Sequence, residues 1–129
     1  MKPCLLDTHA FIEGTRSAQS LTPKARQWIL HPQSAPYLSL ASVWEMQIKI
    51  QLGKLKLPVP PSDAIQQAIT QLGMELLPIR LEHIYRLSSL PFHHRDPFDR
   101  LLVVQSLHEK LPVISGDEAF DAYGINRIW

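Results

Sequence analysis

Pro3-Cys4-Leu5-Leu6-Asp7 is a short apolar run that stops on an acid. A run of that length, closed by a polar residue, reads as a buried β-strand. Working outward, the same signature recurs. Ala35-Pro36-Tyr37-Leu38-Ser39, Met74 to Ile79, Leu111-Pro112-Val113-Ile114-Ser115 and Ile125 to Trp129 read as four further strands. Helical stretches lie between them. Thr22 suits an N-cap and Pro23 the first helical position, with Ala25, Trp28 and Ile29 at helical spacing and His31-Pro32 as the stop. Ser62 can cap a helix carrying Ile65, Ala68, Ile69 and Leu72, ended by Gly73. Leu81 to Leu90 reads as a short helix closed by Pro91, and Asp96-Pro97 opens another through Leu101, Val104 and Leu107.

Between Ser42 and Gly53 two readings compete. Trp44, Met46, Ile48, Ile50 and Leu52 alternate with polar residues, which by period alone indicates a strand. Ser42 and Glu45 fit the two halves of a capping box, and Gly53 fits a C-terminal stop, so a helix is expected. Strand–helix alternation through the chain implies an α/β fold with a mostly parallel sheet covered on both faces.

Composition bounds the function. The 129 residues are one domain's worth of chain, and 45% hydrophobic with 19% charged residues supplies a core rather than disorder. No run approaches 18 consecutive apolar residues, so no membrane span is expected. The acid and histidine at Asp7 and His9 interrupt any leader-like apolar region. A lone Cys4 offers no disulfide or zinc cage and points to a reducing cytoplasm. Thirteen Lys+Arg against twelve Asp+Glu leave a net charge of +1, so any polyanion site must come from local clustering. Five glycines among eleven prolines disfavour a glycine-cradled nucleotide site.

The acids fall in telling places. In open parallel sheets, ligands collect beyond the carboxyl ends of the strands. Asp7 closes the first strand, Asp117 follows the strand Leu111 to Ser115, and Glu45 lies near the start of the helix after the second strand. Asp96 and Asp99 open the helix before the fourth strand, and join the others only if that helix aims its N-terminus at the same edge. Each acid also has a structural reading: Asp96 as an N-cap, Asp99 as a dipole partner, Glu45 and Glu118 as halves of capping boxes, Asp7 as a turn residue. As a set they would repel one another unless a cation sat among them, and oxygen ligands suit Mg²⁺ or Mn²⁺. His9, His93 and His94 lie near the acids, but no His-x-x-x-His or Cys/His spacing supports zinc. Lys49, Lys54 and Lys56 form an acid-free basic run, and Arg95 and Arg100 flank the Asp96/Asp99 pair. These are either a solvated face or a hold for phosphates beside the acids.

With these residues in hand, the chain resembles the PIN-domain ribonucleases, in particular the VapC-type toxins of bacterial toxin–antitoxin pairs. The resemblance spans residues 1–129 as a single domain. It rests on Leu5-Leu6-Asp7-Thr8-His9, Ser42-Val43-Trp44-Glu45 with Ile48-Lys49, His94-Arg95-Asp96-Pro97-Phe98-Asp99-Arg100-Leu101-Leu102, Ser115-Gly116-Asp117, and the ending Ala122 to Trp129. It implies a three-layer α/β/α fold with strand order 3-2-1-4-5. It also implies a Mg²⁺- or Mn²⁺-dependent endoribonuclease whose acidic quartet falls on Asp7, Glu45, Asp99 and Asp117. Ser115 matches the Ser or Thr that the family places two residues before the last acid. Aligning on the Leu-Leu run selects Asp99 and leaves Asp96 to the cap or to an outer position. Lys49, Arg95 and Arg100 become candidates for holding RNA. A cognate antitoxin, a homodimer using the apolar residues of Leu81 to Leu90, and a cytoplasmic setting are further implications.

Other classes make different demands. A catalytically silent PIN fold acting as an RNA-binding or scaffold module predicts a broken quartet. An RNA-processing nuclease outside any toxin–antitoxin pair predicts no neighbouring antitoxin gene. A phosphotransfer domain wants a second acid beside Asp7 and a lysine after Ile114, and neither is present.

Overall fold

The computed structural model describes residues 2–129. Five strands, β1 (Lys2–Leu6), β2 (Ser34–Ser39), β3 (Glu75–Leu77), β4 (Val113–Ile114) and β5 (Arg127–Ile128), form one sheet in the order β3-β2-β1-β4-β5. All four pairings are parallel, with Leu6 opposite Leu38 on one side and Ile114 on the other. The helices are α1 (Thr8–Arg16), α2 (Pro23–Leu30), α3 (Leu40–Gln51), α4 (Pro61–Leu72), α5 (Leu81–Arg86) and α6 (Pro97–Glu109).

The strand period of two sends alternate side chains to opposite faces. Cys4 and Leu6 of β1 join an apolar cluster with Phe11 of α1, Ile29 of α2 and Ala64 of α4. Leu5 joins the other cluster, with Leu102, Val103 and Val104 of α6 and with Phe120. The result is a three-layer α/β/α sandwich. The chain winds from β1 outward to β3, then crosses to β4 on the far side of β1. The carboxyl ends of β1 and β4 therefore flank the point where the winding reverses, the place where open α/β sheets leave a crevice.

Local signals set several helix ends as the sequence reading expects. Thr22 Oγ1 accepts the Ala25 amide, Asp96 caps α6, and Gly73 ends α4 at φ 65°. Two expectations are corrected. Helix α3 starts at Leu40, because Ser39 at the end of β2 is the residue whose Oγ accepts the Ala41 amide. Ser42 and Glu45 are thus interior helix residues, and there is no capping box. Helix α4 starts at Pro61, not after Ser62, because proline is preorganised for the first helical position. The stretch from Ser42 to Gln51 is helical, as expected and despite its period of two, with Ser42, Glu45 and Met46 buried at i, i+3 and i+4. Helix α1 has no counterpart in the sequence reading, and strands β3 and β4 are shorter than read. No helix among the described residues is long and apolar enough to cross a membrane.

Candidate active site

Asp7 occupies the N-cap position of α1, yet its side chain makes no capping hydrogen bond. The carboxylate turns instead across the sheet edge, where Ser115 Oγ donates to Asp7 Oδ2 at 2.8 Å. Burial raises the Asp7 carboxyl above its ordinary value. The Ser115 bond works against that, while the nearby Glu45 charge adds to it. Ser115 is fully buried beyond β4, and its Oγ also accepts the Asp117 amide at 3.0 Å. Asp117 in turn caps the 3₁₀ turn Glu118–Tyr123 through the Ala119 amide, so the expected pairing of Ser115 with Glu118 is replaced by a tighter local link. Glu118 is exposed. Gly116 between them has no room for a side chain: a Cβ there would lie 2.9 Å from the Trp129 indole, which closes one wall.

Helix α3 delivers Glu45 from the β2 side. Thr8 Oγ1 donates to Ser42 Oγ at 2.7 Å, which ties α1 to α3 one turn before Glu45. Glu45 is buried, with one oxygen paired to Lys49 Nζ at 2.7 Å. Its other oxygen, Oε1, is buried without any hydrogen-bond partner.

Helix α6 supplies the remaining acids by its N-terminus. Asp96 Oδ1 accepts the amides of Phe98 and Asp99, as a cap should. That bond fixes the first turn and aims Asp99 into the cleft. Burial first, then the charges of Asp7 and Asp96, push the Asp99 carboxyl up to about 7. His94 lies against it: Nε2 is 3.2 Å from Asp99 Oδ2 and 3.0 Å from Asp117 Oδ2. Its Nδ1 faces the Asp96 amide at 3.4 Å, which leaves the proton on Nε2.

Asp7, Glu45, Lys49, Asp96, Asp99 and Asp117 thus line one cleft of about 530 Å³. The donor set fits a divalent cation. Five carboxylates crowd together, with Asp99 raised to about 7, and one buried Glu45 oxygen lacks any partner. His94, Asp99 and Asp117 present ligand atoms within 4.8 Å of one another. Oxygen donors with at most one imidazole suit Mg²⁺ or Mn²⁺ better than zinc.

Not every residue singled out from sequence arrives here. Arg95 is exposed on the loop before α6 and does not line the cleft. Arg100, expected to hold RNA, is corrected: it is 6% exposed and points back into the fold. Its guanidinium donates to the carbonyls of Pro91, Leu87 and Leu90, with Phe92 stacked at 3.8 Å. At helix position N4 it lies one residue beyond Asp99, which sends it to a different face. His94 was the residue missed. Zinc-type spacing says nothing about a histidine that meets its acids across the fold, and its nearness in sequence to Asp96 and Asp99 was the one signal for it.

The sequence profile of the PIN domain matches residues 4–126. No curated protein sequence matches the chain. Among solved structures, VapBC2 from Rickettsia felis, bound to a DNA fragment from its promoter, superposes with a TM-score of 0.71 at 11% identity, covering 97% of this chain and 96% of that one. VapBC-5 from Mycobacterium tuberculosis, of the VapBC family of toxin-antitoxin systems, gives 0.55 at 19% identity, covering 95% and 90%. FitAcB from Neisseria gonorrhoeae gives 0.54 at 16%, covering 96% and 95%. At these identities the likeness is one of fold.

Proposed function

The chain belongs to the PIN domain family, and from that premise we propose that it is a Mg²⁺- or Mn²⁺-dependent endoribonuclease, the cytoplasmic toxin of a toxin–antitoxin pair. The observation that carries this reading is the convergence of Asp7, Glu45, Asp99 and Asp117 on one cleft, with Glu45 Oε1 buried and unpartnered. Asp7 and Asp99 would be the main ligands, and Glu45 and Asp117 would bind a second ion or orient water beside the first. When bound there, a divalent cation would lower the pKa of a coordinated water and offset charge on the leaving oxygen. The protein's own part is positional. Ser115 fixes Asp7 and the Asp117 backbone, the Asp96 cap fixes Asp99, and His94 Nε2–H spans the outer oxygens of Asp99 and Asp117.

Partners follow from the surface. An apolar groove of about 470 Å³ runs between α1, α2 and α4, lined by Phe11, Ile29, Leu30, Val59 and Leu72. Ala10 borders both this groove and the acidic cleft. An antitoxin segment that lays apolar side chains in the groove can therefore reach the acids with a cationic one. Leu81, Ile84 and Tyr85 of α5 are 62%, 47% and 68% exposed, which is the surface we assign to homodimer pairing. Sedimentation at tens of micromolar reads this directly, and a monomer alone overturns it.

The experiment for the activity is Asp7→Asn. It keeps the shape of the side chain and removes its charge. RNA cleavage with Mg²⁺ or Mn²⁺ is expected to be lost, while the thermal midpoint of the ion-free protein holds or rises. Cleavage at the wild-type rate refutes the reading.

A further inference from the structure

Lys49 stands one helical turn beyond Glu45 on α3, and the two side chains are unequally held. The Glu45 side chain retains 6% of its exposure and the Lys49 side chain 45%. The carboxylate is part of the wall, so the lysine is the partner free to leave. Among the described residues, Lys49 is the only lysine or arginine lining the acidic cleft. It faces not only Glu45 but also the charges of Asp96 and Asp99. The Glu45 oxygen that Lys49 does not touch is the buried, unpartnered one. A carboxylate in that state is half-satisfied, and burying the other half is unfavourable unless something else binds it.

We propose that Lys49 is the resident counter-cation of the cleft: its ammonium occupies Glu45 until a divalent ion takes that carboxylate, and then turns to an oxygen of the RNA phosphate. The proposal rests on the nuclease reading above. A divalent ion carries twice the lysine's charge and competes for the same buried carboxylate. Once displaced, the ammonium sits on a flexible four-carbon stem in a cleft that now holds a phosphate, for which a lysine serves as a compact charge partner. Lys49 therefore opposes ion binding and favours substrate binding. These two effects of one side chain have opposite signs, and a merely structural residue would not produce that split.

The test is Mn²⁺ titration by calorimetry without RNA, on wild type, Lys49→Gln and Lys49→Arg, followed by RNA cleavage at saturating Mn²⁺. Lys49→Gln is expected to bind Mn²⁺ about three- to tenfold more tightly and to cleave at least about tenfold more slowly. Lys49→Arg, which keeps the charge, is expected to bind Mn²⁺ like wild type and to retain more activity than the glutamine variant. Unchanged or weaker Mn²⁺ binding by Lys49→Gln overturns the proposal, as does wild-type cleavage by that variant. If the wild type itself neither binds Mn²⁺ nor cleaves RNA, the nuclease reading fails and takes this proposal with it. If the wild type does both and Lys49→Gln binds no more tightly, only the role of Lys49 fails.

Discussion

Ser115 Oγ donates to Asp7 Oδ2 at 2.8 Å, joining two residues 108 positions apart. The same oxygen accepts the Asp117 amide, so one hydroxyl fixes acids from the ends of two adjacent strands. Its removal leaves Asp7 with no side-chain donor and the Asp117 turn with no anchor. Ser115→Ala is expected to weaken Mn²⁺ binding about tenfold, the usual scale for a residue that orients a ligand. Calorimetry reads this without RNA, and unchanged affinity refutes it.

The raised Asp99 carboxyl ties stability to pH. Its ordinary value is 3.8, and in the fold it stands at about 7. An acid raised by folding binds its proton more tightly in the native state. Its stabilising effect is complete below about pH 4 and is lost as pH rises through about 7. The ion-free protein should thus lose stability from pH 4 to 8, by at most about 4 kcal/mol from this group. Asp99→Asn should flatten that slope, and Mn²⁺ should restore the wild type at high pH. Thermal melts across the range check all three, and a flat wild-type profile contradicts the argument.

Arg100 should matter to folding and not to RNA. Three carbonyls of the segment before α6 depend on its guanidinium. Arg100→Met strands them and is expected to destabilise by about 2–4 kcal/mol in urea unfolding. RNA affinity of the folded variant should stay at the wild-type level. Lost RNA binding with unaltered stability would reverse this assignment.

Inhibition by an antitoxin should depend on the acids. A variant with Asp7 and Asp99 both changed to Asn is expected to bind the cognate antitoxin at least about tenfold more weakly, because the inserted cation loses its carboxylates. Unchanged affinity would place the block outside the acids, such as over the basic run toward Lys54 and Lys56.

Much of this protein is legible in its sequence, for local reasons. The apolar runs ending at Asp7 and Ser115, the Thr22-Pro23 and Asp96-Pro97 caps and the Gly73 stop depend only on neighbours within four residues, so pattern alone determines them. The order 3-2-1-4-5 and the quartet of acids followed from matching motifs to a family, and the order is the one observed. Tertiary structure decided the rest. Helix α1 forms without a side-chain cap because Asp7 is drawn to Ser115 across the sheet, a contact no local window contains. Helix α3 begins at Leu40 because the end of β2 places Ser39 as its cap. Arg100 and His94 show the same limit from both sides. One charged residue beside an acid turned inward to three carbonyls, and one histidine turned toward two acids. Which way a side chain points depends on the face its helix or loop presents, and packing against distant elements sets that face.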